Sequence, residues 1–397
     1  MRIGMILDKT FPPDPRVENE AIALVERGFE VYLFCLHYSR EKTVEKYKGF
    51  SVQRYPFDKL QYKLSALAYT IPAYEWYMSP KIKDFILSNG IEAIHIHDMR
   101  IAGSVFRAID GSDIMTVLDL HDNMPEVMKE YPHLQKFPGK LLISPSKWKE
   151  MEDSFLKKAD CIITVSYELV EELQQRIPDE RDKVVLVPNT VRKEFYTDYE
   201  IDRALLDRFA NDFVLLYIGD TGLRRGLLTA IDALPELRER IDNLKLVIVG
   251  AGTEDHVLKE KVARLKLSDL VCFEGWQDPA RFQSYILSSA IGLCPLNRSP
   301  QHDVAYANKL FQYMSLGRPV LVSDALAQKK LVENQQCGLV HRERDPKDFA
   351  EKVLELYRDK EKRDQFGKSG KKFIDEVFRW ELMSEQLCRI YSEIKES

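Results

Sequence analysis

Short apolar runs alternate with segments of helical period along the whole chain, the pattern that βαβ units and parallel sheets require. In the first half, strands are predicted at IGMIL (3–7), VYLFCL (31–36), AIHIH (93–97), TVLDL (116–120), CIITVS (161–166) and VVLV (184–187). Runs such as IGMIL are apolar on both faces, as expected of strands covered by helices on each side. Between the first two, VENEAIALVERG predicts a helix that Gly28 can end in the left-handed conformation, and Asn89-Gly90 offers a similar stop before the third strand.

Residues 192–212 are charged and carry no strand pattern, which places a domain junction there. The pattern then restarts with FVLLYIG (213–219), LKLVIVG (244–250), VCFEG (271–275), IGLCPL (291–296), PVLVS (319–323) and GLVH (338–341). After Asp345 only helical periodicity remains. The predicted class is α/β, with two Rossmann-like doubly wound domains, 1–191 and 192–372, facing across a cleft. Ligands of such sheets bind at the carboxyl ends of the strands.

A length of 397 residues suits two domains, and 45% hydrophobic with 30% charged residues suits a soluble globular chain. Lys and Arg number 58 against 63 Asp and Glu, so no basic excess points to nucleic acid as a partner. The six cysteines form no Cys-x-x-Cys pair and several lie in strand-like runs, which predicts buried free thiols in a reducing compartment. The N-terminus begins directly with a strand and lacks the apolar core of a signal peptide, and no apolar run approaches the ~20 residues of a membrane span. The expectation is a cytoplasmic protein, with peripheral contact at the inner face of a membrane left open.

Candidate chemistry clusters at predicted strand ends. In YIGDTGLRRGLLTAIDAL, Gly219 and Gly222 permit close backbone approach, and Arg224 and Arg225 precede a helix starting near Gly226. A helix N-terminus with an arginine suits an anionic phosphate, although a turn with solvated arginines explains the segment equally well. Gly250 and Gly252 in VIVGAGTED repeat the theme without completing a dinucleotide fingerprint. In DVAYANKLFQYMSLGRPVLVSD, Lys309 and Gln312 share one helix face. Core packing accounts for Leu310, Phe311 and Met314 there, but not for Lys309.

In the first half, His121, Asp122 and Glu126 follow the strand TVLDL, where they could bind hydroxyls, transfer protons or merely cap the strand. His95 and His97 share a strand face, but no further metal ligands are identifiable and no Asp-x-Asp pair exists, so neither metal nor cofactor is expected. Arg16, in FPPDPRVENEA, could grip a phosphate or an acceptor carboxylate, or make a helix-start salt bridge. Residues 55–77 are unusually aromatic, and residues 131–149 combine Lys136, Lys140, Lys147 and Lys149 with Tyr131, Phe137 and Trp148. An anionic membrane surface, an oligosaccharide platform and ordinary packing all fit that composition.

Taken in order, FPPDPRVENEAIALVERGFEV, ADCIITVSYELVEEL with VVLVPNTV, YIGDTGLRRGL, LKLVIVGAG, VCFEGW and NKLFQYMSLGRPVLVSD resemble segments of the retaining glycosyltransferases of family 4, which have the GT-B fold. The resemblance implies a C-terminal helix, 373–397, that crosses back to the first domain. By position, Arg225 corresponds to the basic residue that holds the donor diphosphate, Lys309 lies in the segment resembling the donor-binding helix, where it could meet the leaving diphosphate's charge, and His121 corresponds to a histidine beside the reacting sugar. The donor site would further draw on Gly219, Asp220, Gly222, Arg224, Gly250, Gly252, Asp303, Asn308 and Gln312, with base contacts near Gly275 and Trp276. Arg16, Asp122 and Glu126 would lie on the acceptor side.

Three positions depart from the family pattern. Asp220 stands for a basic residue, Gln312 for a glutamate that bonds the ribose, and Val304 for another glutamate, with Asp303 or His302 as its candidate replacement. The resemblance implies transfer of a hexose from a UDP- or GDP-linked sugar to a hydroxyl of a glycan or lipid-linked acceptor, with anomeric retention and no metal. A nucleotide-sugar epimerase of similar fold and a non-catalytic GT-B-like binding subunit remain alternatives, the latter prompted by Asp220 and Gln312.

Overall fold

The computed structural model describes residues 1–38, 42–58, 61, 65, 67–70, 72–129 and 143–396. The chain divides into two compact units, one of residues 1–188 with 383–397, the other of residues 189–382.

The first unit is built on a sheet of eight strands. These are β1 (Arg2–Thr10), β2 (Glu30–His37), β3 (Thr43–Tyr47), β4 (Phe50–Pro56), β5 (Ala93–His97), β6 (Met115–Leu120), β7 (Cys161–Thr164) and β8 (Val184–Leu186). Their order is β3-β4-β2-β1-β5-β6-β7-β8, parallel except for β3 against β4. All six predicted strands are present. The sequence pattern missed β3 and β4, which form a hairpin through Lys48 and Gly49, both at positive φ as a two-residue turn of this kind requires. β3 is almost wholly exposed and charged, so no burial periodicity marks it.

Ile3, Met5, Ile6, Leu7, Leu33 and Phe34 form the middle of the core, with no accessible surface. The helix Pro15–Glu26 starts where the Asp14 side chain accepts from the Val17 amide and Pro15 supplies a pre-set φ. Gly28 (φ 84°) and Gly90 (φ 59°) take the left-handed conformation at the two helix ends where glycine is needed. Residues 383–396 of the last helix belong to this unit, where Leu387, Cys388 and Tyr391 are buried.

The second unit has a six-stranded parallel sheet of β9 (Phe213–Ile218), β10 (Leu244–Val249), β11 (Val271–Gly275), β12 (Ile291–Cys294), β13 (Val320–Ser323) and β14 (Gly338–His341), in the order β11-β10-β9-β12-β13-β14. Each coincides with a predicted run. Residues 192–212, where the junction was placed, form the short helices Lys193–Thr197 and Arg203–Arg208 within this unit.

Close packing locks the helix Asn308–Ser315 to the sheet. A Cβ on Gly292 of β12 would meet the Tyr313 ring at 2.3 Å, and the Tyr313 hydroxyl accepts from the Ile218 amide at 2.9 Å. Gly292→Ala must therefore displace Tyr313 or the strand. Overpacking of this kind costs about 1–3 kcal/mol, and a lower denaturation midpoint at unchanged m-value is the expected result.

Candidate functional site

Polar side chains collect at the carboxyl ends of both sheets, and each group is built within its own unit. In the second unit, the ends of β9, β10 and β11 stop in glycines. Gly219 (φ 125°), Gly250 (φ 137°) and Gly275 (φ 65°) all have positive φ. The Gly219 amide donates to the Val249 carbonyl at 2.8 Å, and the Gly250 amide to the Gly275 carbonyl at 2.7 Å. A Cβ on Gly250 would lie 2.0 Å from the Gly219 carbonyl oxygen, so the two backbones touch directly. The result is a floor of main chain at these three positions, with the Lys309 side chain against Gly219. Trp276, just past it, is 75% exposed.

From this floor the chain turns through Asp220, Thr221 and Gly222 into a single 3-10 turn, Leu223–Arg225, then through Gly226 (φ 77°) into the helix Leu227–Arg238. Asp220 fastens the loop. Its Oδ1 accepts from the Gly222 amide at 3.2 Å, and its Oδ2 lies 3.2 Å from Arg225 Nε. Burial opposes its charge, but the amide and Arg225 outweigh it and hold the carboxyl below its ordinary range. Gly252 packs on Asp220 and Thr221. Arg224 is exposed, and its carbonyl accepts from the Asn297 amide at 3.0 Å.

Lys309 enters the same place from the first turn of the helix Asn308–Ser315. The residue is 9% exposed, and its ammonium lies 3.9 Å from the Tyr217 ring centroid, beside the backbone of Gly219. Among the described residues it has no carboxylate or carbonyl partner. Burial, with Arg225 adding to it, pushes the Lys309 pKa down to about 8. Asn308 is exposed and Gln312, one turn on, is half-buried. Asp303 is committed elsewhere: it pairs with Arg298 at 2.8 Å and accepts from the Leu326 amide. His302 is buried, with its Nδ1 2.6 Å from the Asn297 carbonyl.

In the first unit, β1, β5 and β6 bring His121 to the edge of a buried polar cluster. His121 Nε2 lies 2.7 Å from Asp119 Oδ2, its Nδ1 lies 3.5 Å from Asp98 Oδ2, and its amide donates to Asp98 Oδ1. Burial disfavours the imidazolium, but Asp98 and Asp119 override it and raise the pKa to about 9. His121 is therefore a cation at neutral pH.

Behind it, Arg16 donates to both oxygens of Asp119 and to the Val187 carbonyl, and pairs with Glu20 at 3.0 Å. Of the roles open to Arg16, the structure places it in the helix-start salt bridge. It is buried, because its guanidinium balances Asp119. Asp122 and Glu126 are half-buried, Glu126 pairing with Lys129 at 2.6 Å.

His95 and His97 stack at 4.5 Å, with His95 Nδ1 2.9 Å from the Tyr391 hydroxyl. Burial holds both neutral, His97 as low as about 3. Glu20, His95, His97 and Asp119 present ligand-type atoms within 4.8 Å of one another. Sequence alone identified only the two histidines of this set. However, the guanidinium of Arg16 already supplies the cluster's countercharge, so these residues suit a divalent ion poorly. Sequence reasoning missed Glu20, Asp98 and Asp119. Two signals existed: the i, i+4 spacing of Arg16 and Glu20, and the aspartate that ends HIHD.

Of the aromatic and basic segment at 131–149, Tyr131, Lys136, Phe137 and Lys140 lie outside the described residues. Trp148 is packed edge-on to Tyr69 at 4.8 Å, and Lys149 pairs with Glu172 at 3.2 Å, which for these two is the packing alternative. All six cysteines are free thiols. No helix among the described residues is long and apolar enough to cross a membrane.

Two Rossmann-like units, each with polar groups gathered at its strand ends, give the chain the GT-B fold. Residues 16–195 match the family described as Glycosyltransferase Family 4, and residues 198–373 match Glycosyl transferases group 1. The chain belongs to this glycosyltransferase family. It is 22% identical over 388 residues to an uncharacterized glycosyltransferase of Methanocaldococcus jannaschii, covering 96% of this chain and 94% of the relative. Sucrose-phosphate synthase from Thermosynechococcus elongatus has a similar fold, with a TM-score of 0.78 at 18% identity over 100% of this chain and 99% of the other. HepE from Anabaena, solved in complex with UDP, has a TM-score of 0.72 at 15% identity, over 99% of this chain and 100% of the other.

Because its folded pKa is raised, protonated His121 stabilises the fold fully below the unfolded value of about 6.5, and that contribution is lost as pH rises through about 9. Nitrogen-15 shifts of the His121 ring are expected to report an imidazolium through neutral pH. Asp98→Asn is expected to lower the midpoint, and an unchanged midpoint would contradict the assignment of Asp98 as a partner.

Proposed function

We propose that this glycosyltransferase moves a hexose from a UDP- or GDP-linked sugar to an acceptor hydroxyl, retaining anomeric configuration and using no metal ion, in glycan, polysaccharide or glycolipid synthesis. The observation that carries the reading is Lys309, a buried ammonium without an anionic partner among the described residues, placed over a bare backbone floor. Burying such a charge is costly unless a ligand completes it. A diphosphate does so, with Arg225 as the second cation and the amides of the glycine loop as donors. Gln312 is assigned to the ribose, and the exposed backbone at Gly275 and Trp276 to the base.

Departure of a nucleoside diphosphate needs its developing negative charge met in a water-poor site. Lys309 and Arg225 supply that charge. His121 is assigned to a place beside the reacting sugar as a positive charge, since its two ring N–H groups face Asp119 and Asp98. Its protonated state makes it unsuited to act as a base, so the acceptor's proton is taken by the departing phosphate. UDP in the HepE structure supports a nucleotide at this fold's donor site.

Arg225→Ala is expected to weaken UDP or GDP binding by about 1.5–3 kcal/mol, the worth of a charge-assisted hydrogen bond, at unchanged thermal stability of the free protein. Calorimetry showing equal affinity would reject the role. Nucleotide affinity is also expected to fall as pH rises through about 8, where Lys309 loses its proton, and this fall is expected to vanish in Lys309→Arg. Transfer is expected to survive excess chelator and to give a product whose anomeric proton coupling matches the donor's. Loss in chelator restored by magnesium, or an inverted coupling, would overturn those parts of the proposal.

A further inference from the structure

Every residue of β9 is buried, and Tyr217 is the only one of the six whose side chain carries a polar atom. A strand covered on both faces needs only apolar side chains, so a tyrosine there must find a partner for its hydroxyl. Tyr217 finds it just past the strand's end, donating to the main-chain carbonyl of Asp220. Burial pushes the phenol well above its ordinary range, so the hydroxyl stays a donor. The ring has another use. The Lys309 ammonium stands 3.9 Å from its centroid, the distance of a cation on the face of a π system.

The helix that carries Lys309 is pinned to the end of the same strand. Tyr313, one turn on, accepts from the Ile218 amide at 2.9 Å and packs against Gly292 of β12. The other charged and titratable groups that bear on the ammonium are Arg225 and Asp220 of the loop after β9, and Cys294 of β12. Cys294 is held neutral, burial pushing its thiol up to about 11. Asp220 directs its carboxylate to the Gly222 amide and to Nε of Arg225. The face of Tyr217 therefore favours the charged form of Lys309 where no carboxylate among the described residues pairs with it. One side chain thus touches Lys309 with its ring and, with its hydroxyl, the residue that aims Arg225.

We propose that Tyr217 is a positioning residue that sets the two cations of the donor site relative to one another: its ring seats Lys309, and its hydroxyl, through Asp220, holds Arg225. The inference rests on the donor reading given above and adds to it the group that keeps both cations in place before a nucleotide arrives. An aliphatic residue here would suit the strand and do neither.

Substitutions that keep the ring's shape separate its two parts. Tyr217→Phe removes only the hydroxyl, and difluoro- or trifluorophenylalanine in its place drains the ring face of negative charge. In the nucleotide-free protein, carbon-13 shifts of the lysine Cε atoms report the Lys309 midpoint, its signal being the one lost in Lys309→Arg. That midpoint is expected to stay near about 8 in Tyr217→Phe. With fluorination it is expected to fall stepwise, by about one pH unit at the trifluoro ring. An unmoved or rising midpoint overturns the ring's role, and it is the result that a merely structural tyrosine would give.

Calorimetry with UDP and with GDP reads the hydroxyl. Tyr217→Phe is expected to weaken binding roughly twofold to tenfold, the range of one neutral hydrogen bond. It is expected to have little further effect once Arg225 is replaced by alanine. Unchanged affinity in Tyr217→Phe, or an equal loss with and without Arg225, overturns the link to Arg225. If neither nucleotide binds the parent protein, the donor reading fails, and the Lys309 titration still decides the ring's role. If a nucleotide binds and fluorination leaves the midpoint where it was, only the Tyr217 assignment fails.

Discussion

Asp119 is a carboxylate with no access to water, and the carboxyl end of the first sheet is arranged around keeping it charged. Burial alone would neutralise it. Arg16 meets it with two hydrogen bonds and His121 with a third, and together these hold its carboxyl well below the usual range. The consequences spread outward. Arg16 must be on the first helix and buried, which fixes where that helix begins. His121 must be an imidazolium, which needs the second carboxylate, Asp98, on its other side. Removing one partner of such a network leaves an uncompensated buried charge, which costs about 3–5 kcal/mol. The cluster thus ties β5, β6 and the first helix together, with His121 and Lys9 as cations at its rim.

The second unit solves a different problem by different means. There the cation, Lys309, pairs directly with no carboxylate among the described residues, and the strand ends beside it are glycines. Side chains at Gly219 or Gly250 would fill the space or collide with backbone. A phosphate needs that space, and it needs amide donors together with positive charge. The first unit therefore holds its buried charges as matched pairs, and the second holds one ammonium without a direct ion-pair partner among the described residues. This contrast distinguishes the two polar groups more clearly than net charge does, since the chain as a whole carries only −5.

Most of the fold was legible because parallel strands buried on both faces leave short, uninterrupted apolar runs. IGMIL, FVLLYIG and LKLVIVG could hardly be anything else once helical segments separated them. The hairpin β3–β4 was not legible, since an exposed antiparallel edge carries Thr-Val-Glu-Lys-Tyr without an apolar face, and only Lys48-Gly49 hinted at the turn. At the candidate sites, glycines and Lys309 stood out because neither packing nor solvation explains them. Asp98, Asp119 and Glu20 did not, because a buried ion cluster draws its members from segments about a hundred residues apart. Arg16 and Asp119, for example, are neighbours only in the folded unit. Nothing in local spacing predicts such a pairing, and the same distance hid the fact that Arg16 is internal.

The departures at Asp220 and Gln312 bear on whether the donor loop still works, and the geometry of Asp220 answers the charge objection. A carboxylate beside Arg225 would cancel its cation if it took the whole fork of the guanidinium. It does not. Asp220 Oδ2 meets only Nε, while its Oδ1 is spent on the Gly222 amide. A guanidinium has five N–H donors, and engagement of Nε leaves the two terminal nitrogens for a phosphate. The pair therefore aims Arg225 and stiffens the turn between Gly219 and Gly226, at the cost of some net positive charge. Lys309 recovers part of that charge, because a bound anion would favour its protonated form. Gln312 loses a charge but keeps an acceptor and adds donors, which suits ribose hydroxyls as well as a carboxylate would. On the donor reading proposed above, Asp220 changes how the loop is held together, and both positions leave the N–H donors and cations that a diphosphate would need.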